Sequence, residues 1–335
     1  MTLSVGIIGF RGYSGAELVH ILHRHSRVEP VLMEHRGDPA AAPGPRGLQQ
    51  PRTIPVSQEA VREHGLRAIF LATPADVSME LAPAFLEAGA VVIDLSGAFR
   101  LGSADAYQRW YREQHLAPSL LSEAVYGLPE FCRERIRGAR RIANPGCYPT
   151  AANLAIAPLV KAGLLDREAG VICDAKSGVS GAGRKPTLKT HFCEVTENFS
   201  AYSLLDHRHV PEVLMHSGLE EKEFSFVAQL IPVDRGILET IYFRGVEALT
   251  EDRLIAEYER FYQGEHFVRL YDPGAVPDLR AVQRTNYCDI GLRYDATTRR
   301  GVVVSCIDNL VKGAAGQAVQ NMNLALGFPE TEGLL

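Results

Sequence analysis

The first two dozen residues restrict the fold more than any other part of the chain. Residues 3–9 form a short apolar run, Gly9-Phe-Arg-Gly12-Tyr-Ser-Gly15 follows, and Leu18, Ile21 and Leu22 then recur at helical spacing. Strand, glycine turn and helix in this order open a Rossmann-type parallel sheet, the context that a dinucleotide-binding fingerprint requires. Gly9, Gly12 and Gly15 let the backbone approach a pyrophosphate, which rests on the helix amino terminus. The spacing is G-x-x-G-x-x-G rather than G-x-G-x-x-G, so a tight turn without a ligand is the alternative. Val28–Glu34 reads as the second strand. Residues 67–73 and 90–95 read as two more, joined by a helix carrying Val77, Leu81 and Leu86. Ligands bind beyond the carboxyl ends of such strands, where Thr73, residues 95–97 and then Arg100 fall. Arg100 could be merely solvated, or could grip a carboxylate or phosphate with its two-pronged donor. Glu34 suits a ribose hydroxyl of NAD, whereas the adjoining His35-Arg36 suits the 2′-phosphate of NADP, so this segment admits both. Residues 38–55, rich in proline and glycine, read as a long surface loop.

A second constraint is Asn144-Pro-Gly-Cys147-Tyr-Pro-Thr150, between an expected strand at residues 140–143 and an expected helix at 151–162. Cys147 then stands where a strand ends, a Pro-Gly turn intervenes and a helix begins. Unpaired N–H groups and the positive end of a helix dipole favour an anion there. A thiol so placed can fall from about 8.5 to roughly 3.5–7.5 and become a nucleophile near neutrality. A buried structural cysteine is the bland alternative. The turn residues on both sides favour the nucleophile.

Residues 171–176 read as a strand leading into the glycine-rich loop Ser177-Gly-Val-Ser180-Gly181-Ala-Gly-Arg184-Lys185, either flexible or an anion cradle with a basic end. In His207-Arg208-His209-Val-Pro-Glu212, Pro211 suits a first helical turn, which puts His209 near a helix start with Glu212 three residues on. A carboxylate so placed can orient an imidazole for proton transfer. Zinc on the His-x-His pair is the weakest reading, because no third ligand has a recognisable spacing; no metal is expected. Residues 225–246 and 287–306 are strand-rich, with turns at 234–236 and 297–301, and form a mixed sheet. Residues 308–316 open the last helix, whose small residues suit close packing against another element, such as the nucleotide-binding part.

With 335 residues, of which 46% are hydrophobic and 22% charged, two α/β domains with sizeable cores are expected. A net charge of −5 disfavours nucleic acid or an anionic membrane surface as partner. The six cysteines are scattered without a C-x-x-C pair, and no apolar run approaches a membrane span, which leads us to expect a cytoplasmic protein. Dinucleotide fold, thiolate and anion-gripping arginines together suggest a covalent thioester that exchanges hydride with a nicotinamide.

The sequence resembles the N-acetyl-gamma-glutamyl-phosphate reductases along nearly its whole length. The resemblance is carried by GFRGYSGAEL from Gly9, DLSGAFR ending at Arg100, NPGCYPTAA from Asn144 and SGVSGAGRK ending at Lys185, then by HRHVPE from His207, RGILET from Arg235 and DNLVKGAAGQAVQ from Asp308. It implies NADP(H)-dependent reduction of a small acyl phosphate to an aldehyde, with Cys147 as nucleophile, His209 as acid/base and Glu212 orienting it. Arg100, His207, Arg208 and Arg184 are similar to substrate-binding positions. Gly12, Tyr13, Ser14 and Gly15, with Gly9, Arg36 and Thr73, would hold the cofactor, and Ser180, Gly181 and Asn309 would lie on its nicotinamide side. The family architecture implies a dinucleotide-binding domain of residues 1–146 completed by residues 309–335. A catalytic and oligomerisation domain of residues 147–308 would assemble into a homodimer or homotetramer. A related reductase of carrier-protein-bound aminoadipyl or glutamyl phosphate shares most blocks but would want a basic docking surface. Aspartate-semialdehyde dehydrogenase fits the HRH and PGCYPT blocks less well, and a non-catalytic nucleotide sensor would not need Cys147, His209 and Glu212 together.

Overall fold

In the computed structural model, which describes residues 2–34 and 51–335, the chain divides into two compact units. The first comprises residues 1–104, 114–144 and 315–335; the second comprises residues 105–113 and 145–314.

The first unit is built on a seven-stranded sheet of β1 (Leu3–Ile8), β2 (Val28–Glu34), β3 (Thr53–Pro55), β4 (Ala68–Leu71), β5 (Val91–Asp94), β6 (Val125–Tyr126) and β7 (Arg141–Ala143). Every pairing is parallel and the order is β3-β2-β1-β4-β5-β7-β6, so the strand order reverses at β1. That reversal is where an open α/β sheet forms its ligand crevice. β1 and β4 are almost wholly buried, as expected for strands covered on both faces. The helix Tyr13–Leu22 follows the glycine turn and buries Leu18, Ile21 and Leu22.

Two readings need correction. The expected loop at residues 38–55 ends in a strand: Thr53–Pro55 pairs with β2 and buries Ile54. Its proline is tolerated because β3 is the sheet edge. The remainder, with His35 and Arg36, lies outside the described residues. In the helix Ala75–Glu87 the buried residues are Ser78, Met79, Ala82 and Phe85, while Val77, Leu81 and Leu86 are only partly covered. The last helix, Gly316–Leu326, packs within this unit against Tyr13–Leu22 and Pro129–Ile136, and buries Val319, Met322 and a run of amides.

The second unit carries a mixed sheet of β8 (Val171–Ser177), β9 (Ser200–Tyr202), β10 (Phe224–Leu230), β11 (Ile237–Arg244), β12 (Val268–Leu270), β13 (Cys288–Asp295) and β14 (Arg300–Ile307). Its order is β12-β13-β14-β11-β8-β10-β9. β11 pairs antiparallel with both β8 and β14, and β10 runs parallel to β8. Alternate residues of β8 and β11 are buried, the pattern of a sheet covered mainly on one face. The covering element is the helix Cys147–Lys161, which buries twelve of its residues and packs on β11, β14 and the helix Val210–Ser217.

Candidate active site

Cys147 is the first residue of its helix, four positions earlier than the apolar spacing indicates, with Gly146 in extended conformation as the cap. Gly146 contributes no side-chain cap, so the first turn presents backbone N–H groups at the half-buried thiol. The turn is held from several sides. Thr150 donates its N–H to the Gly146 carbonyl at 3.0 Å and its hydroxyl to the same oxygen at 2.9 Å. The fully buried carboxylate of Glu212 accepts the Gly146 N–H at 2.9 Å. Gly313 closes the other side, where a methyl group would stand 2.8 Å from the Cys147 Cβ and 3.2 Å from its Cα. A glycine is therefore required for close approach at Cys147, a constraint that the string of small residues after Asp308 does not disclose by itself.

Cys147 lines a cleft of about 420 Å³ that lies wholly within the second unit. Tyr148, Gly181, His207, Arg208 and His209 line it too. His209 caps the helix Val210–Ser217, whose first turn holds Pro211 and Glu212 as the sequence indicates. The two histidine rings lie 4.8 Å apart, and both meet the Tyr148 ring edge-on, at 5.5 and 6.0 Å. They are not equivalent. His207 Nδ1 accepts the His209 N–H at 3.2 Å, which leaves the proton on Nε2. Burial, reinforced by the adjacent Arg208 charge, lowers the His207 pKa from 6.5 to about 4, so this ring is neutral at ordinary pH. The Tyr148 hydroxyl donates to the Gln229 carbonyl and shares a hydrogen bond with Tyr202, both at 3.2 Å. Burial raises both phenols, which remain protonated.

The remaining candidates are distributed as follows. Ser180 lies on a short 3₁₀ turn, Val179–Ala182, where its hydroxyl accepts from Asn309 Nδ2 at 3.0 Å; Asn309 Oδ1 accepts the Gly236 N–H at 2.7 Å. Asn309 thereby ties the glycine-rich loop to the turn before β11. Arg184 is exposed and does not line the cleft. Arg100 belongs to the first unit, where its Nε and Nη2 donate to the Asn144 and Leu95 carbonyls, both at 2.8 Å. It is nearly buried and pins the segment just before the cysteine turn. Among the described residues, no three His, Cys, Asp or Glu side chains come together as a metal set, and no helix is long and apolar enough to cross a membrane.

In the first unit, Gly9 adopts φ +80°, and a methyl group there would stand 2.2 Å from the Ala72 carbonyl oxygen. A methyl at Gly15 would stand 2.2 Å from the Gly9 carbonyl, so the turn accepts only glycine at both positions. The helix behind it has Gly12 as cap, with no side-chain cap on its first N–H groups. Tyr13, Ser14 and Gly15 thus open the helix as a phosphate cradle does. Thr73 sits beyond β4, its hydroxyl 2.8 Å from that of Ser78. Arg11, which the sequence reading did not single out, donates to Glu34 at the end of β2. That pairing partly neutralises the Glu34 carboxylate.

Residues 4–139 match the family model of the semialdehyde dehydrogenase NAD binding domain, and residues 147–309 match that of the semialdehyde dehydrogenase dimerisation domain. Over 344 aligned positions the chain is 50% identical to the N-acetyl-gamma-glutamyl-phosphate reductase of Symbiobacterium thermophilum, covering 100% of this chain and 98% of that one. The enzyme of the same name from Geobacillus kaustophilus is 45% identical, with 99% and 98% covered. The chain belongs to the N-acetyl-gamma-glutamyl-phosphate reductase family. Solved structures agree on the fold of such a reductase. Aspartate semialdehyde dehydrogenase II of Vibrio cholerae superposes with a TM-score of 0.73 at 19% identity, covering 97% of this chain and 98% of that one. The Candida albicans aspartate semialdehyde dehydrogenase with NADP gives 0.70 at 16%, covering 97% and 98%.

Proposed function

We propose that this chain reduces N-acetyl-gamma-glutamyl phosphate to N-acetyl-glutamate semialdehyde with release of phosphate, as a step of arginine biosynthesis in the cytoplasm. The observation that carries the reading is Cys147 at a helix amino terminus in one cleft with the His207–His209 pair. The Cys147 thiolate attacks the γ-carbonyl carbon, the bond to the phosphate oxygen breaks, and a thioester remains on the protein. His209 takes the thiol proton and passes it to the departing phosphate. Residues Gly9, Gly12, Tyr13, Ser14 and Gly15 would hold the phosphates of NADPH, which when bound would supply the hydride for the thioester carbon. The carbonyl oxygen would then re-form its double bond as the C–S bond breaks, releasing the aldehyde and the Cys147 thiolate, which takes up a solvent proton to regenerate the thiol. Glu212 holds the Gly146 turn through these steps, and neutral His207 with Arg208 binds the anionic substrate. Residues 1–146 with 309–335 would serve the cofactor, and residues 147–308 the acyl group and assembly into a homodimer or homotetramer.

The deciding assay supplies N-acetyl-glutamate, ATP and a partner kinase and follows NADPH oxidation, with phosphate-dependent NADP reduction by the semialdehyde as the reverse check. Turnover that Cys147→Ser abolishes supports the reading. Residual turnover in that variant would sink the covalent route, and activity confined to a carrier-bound aminoadipyl phosphate would move the substrate elsewhere.

A further inference from the structure

We propose that Arg112, held in reserve by Asp206, binds the α-carboxylate of the substrate and makes the enzyme selective for acyl phosphates in which that carboxylate is unmodified. The inference rests on the reading just given and adds to it a residue outside the motifs singled out in the sequence. Three cations line the cleft, Arg112, Lys189 and Arg208, against a single carboxylate, Asp206, although the chain as a whole carries a net −5. A cleft so biased suits a substrate with more than one anionic group. Arg208 stands between His207 and His209 and belongs to the reacting end. Arg112 arrives on a separate piece of chain: residues 105–113 join the second unit although the chain on either side of them belongs to the first. Within that piece Tyr107 stacks on Tyr111 at 4.5 Å, and an exposed Arg109–Glu221 ion pair at 2.7 Å joins it to the rest of the unit. Trp110 and Arg112 line the cleft wall.

Arg112 adopts φ +61° immediately past the helix Ala104–Tyr111, the left-handed position in which helices commonly end. Its present partner is replaceable. One nitrogen, Nη2, serves both Asp206 oxygens, at 3.1 and 3.3 Å, instead of two nitrogens forming a fork. The two side chains are 68% and 65% exposed, so their pairing adds little to stability. A substrate carboxylate that offers the planar two-nitrogen geometry displaces Asp206 without leaving a buried charge behind.

The test runs in the reverse direction, with phosphate and NADP, and compares N-acetyl-glutamate semialdehyde with its α-carboxamide. The wild-type enzyme should favour the free acid by roughly 10–100-fold in kcat/KM, the scale of a charge-assisted hydrogen bond. Arg112→Gln should reduce that preference to a few-fold by raising KM for the acid much more than KM for the amide. Arg112→Lys should recover only part of it, having the charge but not the fork. Asp206→Asn should lower KM for the acid. An Arg112→Gln enzyme that keeps the wild-type preference overturns the assignment while leaving the reductase reading intact. A wild-type enzyme silent on both aldehydes overturns both.

Discussion

At the scale of single residues, the two histidines of the HRH block divide their labour by environment. His207 is 7% exposed, accepts a backbone N–H, and has a pKa lowered from 6.5 to about 4 by burial and by the Arg208 charge. The sign of the linked stability follows. Between pH 6.5 and about 4 the unfolded chain takes up a proton that the folded chain refuses, so this contribution is complete above pH 6.5 and is lost as pH falls towards 4. The lowering corresponds to about 3 kcal/mol as an order of magnitude. Urea unfolding of wild type and His207→Gln at pH 7.5, 6.0 and 5.0 should therefore show the wild type losing stability more steeply. Parallel slopes would mean that His207 is readily protonated in the fold. The same shift removes His207 as a group that switches activity near neutrality.

Among elements, the join between the helices Cys147–Lys161 and Val210–Ser217 shows what a sequence can and cannot disclose. The i, i+3 spacing correctly puts Glu212 on the helix that His209 caps, but spacing knows only local neighbours. The contact that fixes Glu212 is the Gly146 N–H, 66 positions away along the chain. Gly313 against Cys147 is equally non-local. The strand, glycine turn and helix at the amino terminus were legible because their geometry is set by adjacent residues, as was the strand-rich character of the stretches that hold β11 and β14. Two- and three-residue strands such as β6, β9 and β12 are too short for any periodicity, and Thr53–Pro55 forms a strand only because β2 lies beside it. For Glu212 the tertiary contact predicts a distinctive pair of variants. Glu212→Gln retains an acceptor and should keep most of the stability. Glu212→Ala leaves a buried N–H unsatisfied and should cost about 1–3 kcal/mol. With the cysteine turn loosened, kcat should fall in the alanine variant more than KM rises. Equal thermal midpoints for the two variants would place the Gly146 bond outside the forces that shape the turn.

Across the whole molecule, the chemistry divides along the two units. The glycine turn, Arg11 and Glu34 belong to the first, whereas every residue that lines the cysteine cleft belongs to the second. Acyl transfer needs only a nucleophile, a proton carrier and anion-binding groups, the roles proposed above for Cys147, His209 and Arg208, which with Lys189 line that cleft. Hydride transfer needs the cofactor, for which the glycine turn of the first unit is the proposed cradle. The enzyme without NADPH should therefore release phosphate from N-acetyl-gamma-glutamyl phosphate in a burst stoichiometric with protein, and then stop as the thioester accumulates. Rapid-quench measurement of phosphate, with mass spectrometry of the peptide that contains Cys147, checks both parts. The Cys147→Ser protein should show only the slow spontaneous decay of the acyl phosphate. If phosphate appears only after NADPH is added, acylation depends on the occupied cofactor site, and the two half-reactions are coupled by more than the shared thioester.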